Sequence, residues 1–234
     1  MARYMSTKNL TMKEVAVFGS SSAESPTTMS NEKQYVSVKT GDPSALGLLG
    51  LAIVTLVASS QKLGITAEGV SYVLPWAIFL GAGAQLFASI LDFKKENAFG
   101  GTAFGGYAFF WLGVGMSWMI KYGMFGQAAK DAIDPHQLGF AFLGYLIFTL
   151  FMTLGATVTN KVLFAIFVMI DFLFLGLAGS TLGFMPEVMH KIAAWSELII
   201  SILSFYLSGA NICNAQFGYE FLWIGKPINY FKKK

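Results

Sequence analysis

The sequence is poor in charge and in cysteine. Of its 234 residues only 12% are Asp, Glu, Lys or Arg, about half the share found in an ordinary soluble domain. A single cysteine, Cys213, excludes an intrachain disulfide and argues against a cysteine-based zinc site. The net charge of +3 is too small and too dispersed for nucleic-acid recognition. Residues 1–41 contain no apolar run long enough for a cleavable signal sequence, so the first membrane helix is expected to direct insertion.

Patterns typical of enzymes are also missing. There is no nucleophile elbow, no phosphate-binding glycine loop and no helix with paired histidines. The two histidines, His136 and His190, fall at predicted helix ends or in outer loops, without metal-ligand spacing. We interpret both as interfacial or solvated side chains. The sequence therefore predicts no catalytic site, no metal site and no cofactor.

Long apolar segments are abundant instead, because 55% of the residues are hydrophobic and 22 are Phe. Each segment is close to the roughly 20 residues that a helix needs to cross a bilayer. We predict an all-α integral membrane protein, with six transmembrane helices around a pore within each subunit. Residues 1–42 are predicted to be a disordered cytoplasmic tail, 43–228 the transport domain and 229–234 a basic cytoplasmic tail. The six segments lie at about 44–62, 70–92, 99–121, 137–158, 162–184 and 190–213.

The distribution of lysines predicts the orientation. Short loops on the side of both termini carry Lys94, Lys95, Lys161 and Lys226, and the tails add further basic residues. Because basic loops stay on the cytoplasmic side, both termini are expected inside the cell. The predicted location is the plasma membrane. The opposite side carries Lys62, Lys121, Lys130 and Lys191.

Polar side chains stand out in the region from Gly81 to Trp111. Gln85 is expected either to line a pore or to join two helices by a hydrogen bond. Asn97 can cap the third helix, and the N–H groups at that helix start can also bind an anion. With Thr102, Gln85 and Asn97 are our candidate substrate-binding residues. The charged corner from Asp92 to Glu96 is expected to pair internally and with lipid headgroups.

Asp171 lies near the middle of the fifth segment, where an unpaired carboxylate is costly. It is either a proton-binding site or a neutral carboxyl group bonded across a helix or subunit interface. Glu197 lies closer to the outer end of the sixth segment and is expected to reach the membrane interface.

Several of these motifs resemble those of the acetate uptake transporters, which include bacterial succinate–acetate permeases and fungal acetate permeases. Residues 42–48, DPSALGL, resemble the signature that opens the first helix of that family. Residues 81–85, GAGAQ, and 92–100, DFKKENAFG, resemble two further family elements. Tyr107, Trp111 and the C-terminal pattern with Asn211 also correspond. The resemblance covers about residues 42–228.

This resemblance implies a hexamer with a separate pore in each subunit, and no catalytic role. Each pore would narrow at a hydrophobic constriction formed by Leu51, Tyr107 and Ile170, with Asn211 among the pore-lining residues. The chain departs from the family where Asp42 replaces an Asn, where Ala45 replaces a Pro, and at Asp171, whose counterpart is uncharged. Leu51 replaces an aromatic residue present in some members.

The resulting hypothesis is transport of acetate and related short carboxylates, including succinate, linked to proton movement. The chain's partners would then be a small carboxylate, membrane lipid and five further copies of itself. An alternative is a channel for a small neutral solute such as urea or ammonia. A third class is a membrane enzyme or a sensor that transports nothing.

Overall fold

The computed structural model describes residues 41–67, 69, 70 and 72–228. Nearly all of the predicted N-terminal tail and the whole predicted C-terminal tail lie outside these residues. Within them, six helices are long and apolar enough to cross a membrane, so the six predicted spans and the all-α fold are confirmed. Their bounds are Ser44–Lys62, Val73–Lys94, Ala98–Lys121, Pro135–Ala156, Lys161–Thr181 and Pro186–Phe217.

The first span is helix α1, and the third, fourth, fifth and sixth spans are α4, α6, α7 and α8. The second span is composite: α2 (Val73–Trp76) continues into a π-helical segment (Ala77–Ala84) and then into α3 (Gln85–Lys94). A short helix, α5 (Gln127–Asp131), connects α4 to α6. Neither α5 nor the π-helical segment was predicted. Side-chain periodicity over so few residues does not distinguish a π-helix from an α-helix.

Side-chain caps explain where three of the long helices begin. The side chain of Asn97 accepts a hydrogen bond from Gly100 N–H at 3.1 Å, so the predicted cap of α4 is confirmed. Asn160 caps α7 in the same way, through Leu163 N–H at 2.8 Å. Asp134 caps α6, where Pro135 occupies the first helical position. The sequence positions of these short polar side chains therefore fix the helix starts.

The spans close into a ring. Each span contacts the next one along the chain, and α8 packs extensively back onto α1. Glycines permit close approaches between the spans: a Cβ added at Gly176 would lie 2.6 Å from the backbone of Ala193, and one at Gly50 would lie 2.5 Å from the Leu80 carbonyl oxygen. The second approach brings α1 directly against the π-helical segment.

Candidate functional site

One end of the helix ring contains a cavity of about 520 Å³. We call this the mouth end; α1, α4 and α7 begin there, and α3, α6 and α8 end there. The opposite end is called the far end. The cavity is lined by residues of α1, α3, α4, α6, α7 and α8 together with the loops at the mouth. Its polar lining consists of Asp42, Ser44, Gln85, Asp92, Asn97, Thr159, Asn160 and Asn211.

Three of the predicted pore residues, Gln85, Asn97 and Asn211, lie on the cavity wall. Gln85 is fully buried from solvent, and its Nε2 donates a hydrogen bond to the Gly81 carbonyl within the same span at 2.8 Å. Its Oε1 has no hydrogen-bond partner among the described residues. The structure therefore does not show Gln85 joining two helices. The side chain instead offers an unused acceptor at the cavity wall.

Two asparagines place hydrogen-bond donors at the mouth of the cavity. Asn97 and Asn160 both line the cavity, and both use their side-chain oxygen to cap a helix. The amide NH₂ group of each is the remaining polar group and can only donate. The NH₂ group of Asn97 lies beside the Asp92 carboxylate. The N-termini of α4 and α7 also carry the positive ends of their helix dipoles. Asn160 was not predicted, although its position before an apolar segment is a typical cap signal.

The charged corner at the mouth is arranged differently from the prediction. Lys95 Nζ lies 3.6 Å from Oδ1 of Asp42, the aspartate that precedes α1. Ser44 donates to the same oxygen from its backbone N–H at 3.1 Å and from its hydroxyl at 2.8 Å. Partial burial opposes ionisation of Asp42, but these hydrogen bonds and the Lys95 charge outweigh it and hold the pKa of Asp42 below its ordinary value.

We expected Asp92 to pair with its charged neighbours or with lipid headgroups, and the structure places it elsewhere. Its side chain lines the cavity and the residue is only 1% exposed. Neither carboxylate oxygen makes a well-formed hydrogen bond among the described residues, although the side-chain amide of Asn97 lies beside the carboxylate. The carboxylate lies against the backbone of Gly100, where an added Cβ would collide with it. Asp92 is thus a buried acid with unused hydrogen-bonding capacity at the cavity wall.

Two predicted site residues lie elsewhere. Thr102 is exposed on the outer surface of α4 and does not line the cavity, because Ala103 and Tyr107 occupy the inward face of that helix. Asp171 also lies outside the cavity lining, although its neighbour Ile170 belongs to it. Thr153 of α6 donates a hydrogen bond to Asp171 Oδ2 at 2.7 Å. This placement favours the second interpretation of Asp171, a carboxyl group hydrogen-bonded across a helix interface.

The residues of the predicted constriction meet at the inner end of the cavity. Leu51, Tyr107 and Ile170 line both the large cavity and a second space of about 10 Å³ beyond it. A space of that size holds about one water molecule. We call these three residues the neck. Aromatic and aliphatic side chains surround the space beyond the neck, among them Phe110, Trp111, Leu173, Phe174 and Ile200.

A hydrogen-bond chain fixes the orientation of Tyr107 in the neck. Its hydroxyl oxygen lies 3.0 Å from Thr149 Oγ1, and Thr149 is fully buried. Thr149 donates its own hydroxyl proton to the Tyr145 carbonyl oxygen at 2.8 Å. Because a threonine hydroxyl has only one proton, Tyr107 is the donor to Thr149. The phenol proton is therefore satisfied by α6, and the ring supplies an apolar wall.

At the far end, a buried ion pair connects α1 to α8. Lys62 Nζ lies 2.8 Å from Glu197 Oε2, and the Glu197 side chain is 2% exposed. His190 Nε2 lies 3.1 Å from the Lys62 carbonyl oxygen. The expectation that Glu197 reaches the membrane interface is wrong, because Lys62 at the end of α1 compensates its charge inside the protein. A shallow surface depression of about 550 Å³ near His190 is separate from the cavity.

Comparison with known proteins gives consistent matches. The model of the GPR1/FUN34/yaaH family matches residues 25–224. The chain is similar to the "Succinate-acetate/proton symporter SatP" of Escherichia coli strain K12, with 36% identity over 80% of this chain and 97% of that protein. It is also similar to the "Ammonia transport outward protein 2" of Saccharomyces cerevisiae, with 32% identity over 77% of this chain and 64% of that protein.

A solved structure resembles the fold described above. It is reported as the structure of the bacterial acetate channel SatP, and it superimposes with a TM-score of 0.73 at 34% sequence identity. The similarity covers 80% of this chain and all of that one. The six-span architecture is thus shared with a protein solved by experiment.

Proposed function

Because this chain belongs to the GPR1/FUN34/yaaH family, we propose that it carries acetate and related short carboxylates across a membrane through the cavity and the neck. Succinate is a further candidate substrate. The observation that carries this proposal is the continuity of the two features: Leu51, Tyr107 and Ile170 belong to the wall of both the polar cavity and the small apolar space beyond it. The proposal assigns no catalytic reaction to the chain.

The chemistry of the mouth supports a carboxylate as the substrate. The NH₂ groups of Asn97 and Asn160 can donate hydrogen bonds to carboxylate oxygens. The N-termini of α4 and α7 add favourable electrostatics for an anion, of the kind that helix starts commonly provide. Asn211 adds a third amide on the side of α8. A carboxylate entering from the mouth would exchange its water shell for these donors.

The neck supports selection by size and by charge. A narrow apolar passage excludes water and hydrated ions because they lose hydration without compensation. A small carboxylic acid in its neutral form loses much less hydration free energy when it enters the neck. In the conformation described here the space beyond the neck is too small for acetate, so passage requires side-chain movement in this region.

Proton linkage follows from the difference between the neutral acid and its anion at the apolar neck. Acetic acid is nearly fully ionised at neutral pH, since its acidity is close to that of a Glu side chain, with a pKa of about 4.3. If the neck passes the acid more readily than the anion, then each substrate molecule crosses with one proton. The relative in Escherichia coli is named a proton symporter.

We also propose the setting of this activity. The protein is placed in the plasma membrane with its mouth end toward the cytoplasm, because Lys94, Lys95 and Lys161 lie at that end. A homohexamer with one pore in each subunit remains our expectation from the family resemblance. Exposed apolar side chains on α6, such as Phe140, Ile147 and Phe151, would then face lipid or a neighbouring subunit.

A second candidate is passage of ammonia, favoured by the name of the relative in yeast. The apolar neck would suit a small neutral molecule as well. The acidic residues of the cavity, Asp42 and Asp92, would also tolerate ammonium at the mouth. Competing solutes distinguish the two candidates, because each solute should inhibit only the transport of its own chemical class.

The experiment is uptake of labelled acetate into proteoliposomes at pH 7 or slightly above, where leakage of neutral acid through lipid is small. Empty liposomes provide the background, and an imposed inward proton gradient tests the linkage. We expect uptake above background that the gradient drives to accumulation, with competition by propionate and none by urea or methylammonium. Uptake equal to that of empty liposomes would refute the proposal.

A further inference from the structure

The cavity contains one acid whose place in the proposed function is not yet assigned. We propose that Asp92 binds the proton that accompanies the substrate, and that its carboxyl group holds the substrate carboxylate through that shared proton. The inference depends on the proposed function and adds a residue for the proton and a contact for the substrate.

Burial makes Asp92 unusual among the charged residues of the mouth. It is 1% exposed and lines the cavity, and neither of its oxygens makes a well-formed hydrogen bond among the described residues, although the side-chain amide of Asn97 lies beside it. A buried carboxylate without donors is unfavourable, because its lost hydration is not replaced. A ligand in the cavity that shares a hydrogen bond with Asp92 would remove this cost. The neighbouring Gly100 leaves the space that the carboxylate occupies.

The charges on the cavity wall explain why a proton is needed. The charged side chains that line the cavity are Asp42 and Asp92, and the described lining includes no Lys, Arg or His. Asp42 is hydrogen-bonded to Ser44 and faces Lys95, so its charge is compensated locally. A substrate carboxylate beside an ionised Asp92 would meet a like charge at short range. When two carboxylates share one site, a single proton bound between them relieves the repulsion.

Other groups favour the ionised form of Asp92 when the cavity is empty. These are the side-chain amide of Asn97, Lys95 in the loop before α4 and the positive end of the α4 dipole; Asp42 opposes them, and the residues that line the cavity from α7 and α8 are uncharged. An incoming anion changes this balance, because it adds a second negative charge close to Asp92. Proton binding and substrate binding are therefore coupled.

In the proposed step a proton passes from water to Asp92 and then to the substrate. One proton from water forms an O–H bond on Asp92, and this group donates a hydrogen bond to the substrate carboxylate. As the substrate moves into the neck, the proton transfers to the substrate oxygen. The acid then leaves without charge, and Asp92 returns to its ionised form. One proton and one carboxylate cross together, and the apolar neck passes a neutral molecule.

The test uses purified full-length protein in detergent, mixed with sodium acetate in weakly buffered solution with a pH indicator dye. Wild type should take up about one proton for each acetate bound, and its acetate affinity should weaken by up to about tenfold for each unit of rising pH between about pH 6 and pH 8. Asp92→Asn should bind acetate with no proton uptake, and its affinity should change less than about twofold across the same range.

Asp171→Asn is the matched control, because it makes the same carboxyl-to-amide change at a membrane residue that lies outside the cavity lining. It should behave as wild type. Proton uptake that persists in Asp92→Asn, or that is absent in wild type while acetate binds, overturns the inference and leaves the proposed function intact. If Asp92→Asn does not fold, Asp92→Ser replaces it, and the wild-type measurement still decides. Failure of wild-type proteoliposomes to transport acetate would instead refute the proposed function.

Discussion

Tyr107 donates its hydroxyl proton to Thr149 across the interface between α4 and α6, with 3.0 Å between the two oxygens. Both residues are buried. The phenol is therefore committed to the protein scaffold, and its ring lines the neck together with Leu51 and Ile170. This relationship separates the two parts of the side chain: the ring determines the width of the passage, and the hydroxyl determines the position of the ring.

Truncating the neck should relax size selection. In Leu51→Ala and Tyr107→Ala we expect uptake of butyrate relative to acetate to rise on the order of tenfold, because a wider apolar passage admits the longer chain. Tyr107→Phe is the matched control, because it keeps the ring and loses only the hydrogen bond to Thr149, so selection should change less than in Tyr107→Ala. Uptake ratios from paired labelled substrates in proteoliposomes measure the effect. An unchanged ratio in both alanine variants would remove these residues from the neck.

Removing Lys62 should destabilise the far end. Lys62→Ala leaves Glu197 buried without its partner, which costs about 3 kcal/mol. Glu197→Gln should cost less, because Lys62 retains 15% exposure and can reach solvent. The double variant should recover part of the loss. Thermal unfolding of purified protein in detergent measures these differences; equal effects of Lys62→Ala and Glu197→Gln would contradict the account.

Adding a methyl group at Gly50 should separate α1 from the second span. The new Cβ would lie 2.5 Å from the Leu80 carbonyl oxygen, and backbone cannot move aside cheaply. We expect Gly50→Ala to lower stability by about 1–3 kcal/mol. Gly113→Ala is the control, because nothing lies within 4 Å of its added Cβ. Comparable unfolding temperatures for the two variants would show that the close approach is not required.

Asp42 should stabilise the protein at neutral pH and lose this effect in acid. Its pKa is lowered in the folded protein, so its contribution is complete above its ordinary pKa and disappears as the pH falls through the folded value. The difference in stability between wild type and Asp42→Asn should be below about 1 kcal/mol, because Asp42 is exposed. It should begin to fall below about pH 4 and vanish once the pH is below the lowered pKa of the folded protein. Unfolding measured against pH would contradict this if the difference grew in acid.

Asp171 should not determine the pH dependence of transport. Its hydrogen bond to Thr153 lies at the interface of α6 and α7, away from the cavity lining. Acetate uptake by Asp171→Asn, measured across neutral pH in proteoliposomes, should follow the wild-type profile. A shifted profile in a folded variant would restore the alternative in which Asp171 binds a proton during transport.

Much of the fold is predictable from local patterns. Span length and hydropathy predict six helices, and short polar side chains before apolar segments predict helix starts such as that of α4. The π-helical segment of the second span and helix α5 are not predictable in this way. Both are short, so their side-chain patterns contain too little periodicity to identify them.

The site was predicted less completely. Gln85, Asn97 and Asn211 line the cavity, and the neck residues meet, because motif positions preserve the depth of a residue along its helix. Rotation about the helix axis is harder to predict, so Thr102 was assigned to the wrong face. Ion pairing depends on neighbours distant in sequence, as for Glu197 with Lys62 and for Lys95 with Asp42. Asp92 has no ion-pair partner among the described residues because Lys95 faces Asp42 instead.

The most direct test of the central claim compares two solutes in the same proteoliposomes. Labelled acetate and labelled methylammonium, an analogue of ammonium, are measured with wild type and with Leu51→Trp, which should fill the neck. We predict acetate uptake above the empty-liposome background in wild type, its loss in Leu51→Trp, and no methylammonium uptake in either. Methylammonium uptake without acetate uptake would contradict the account and favour an ammonia channel.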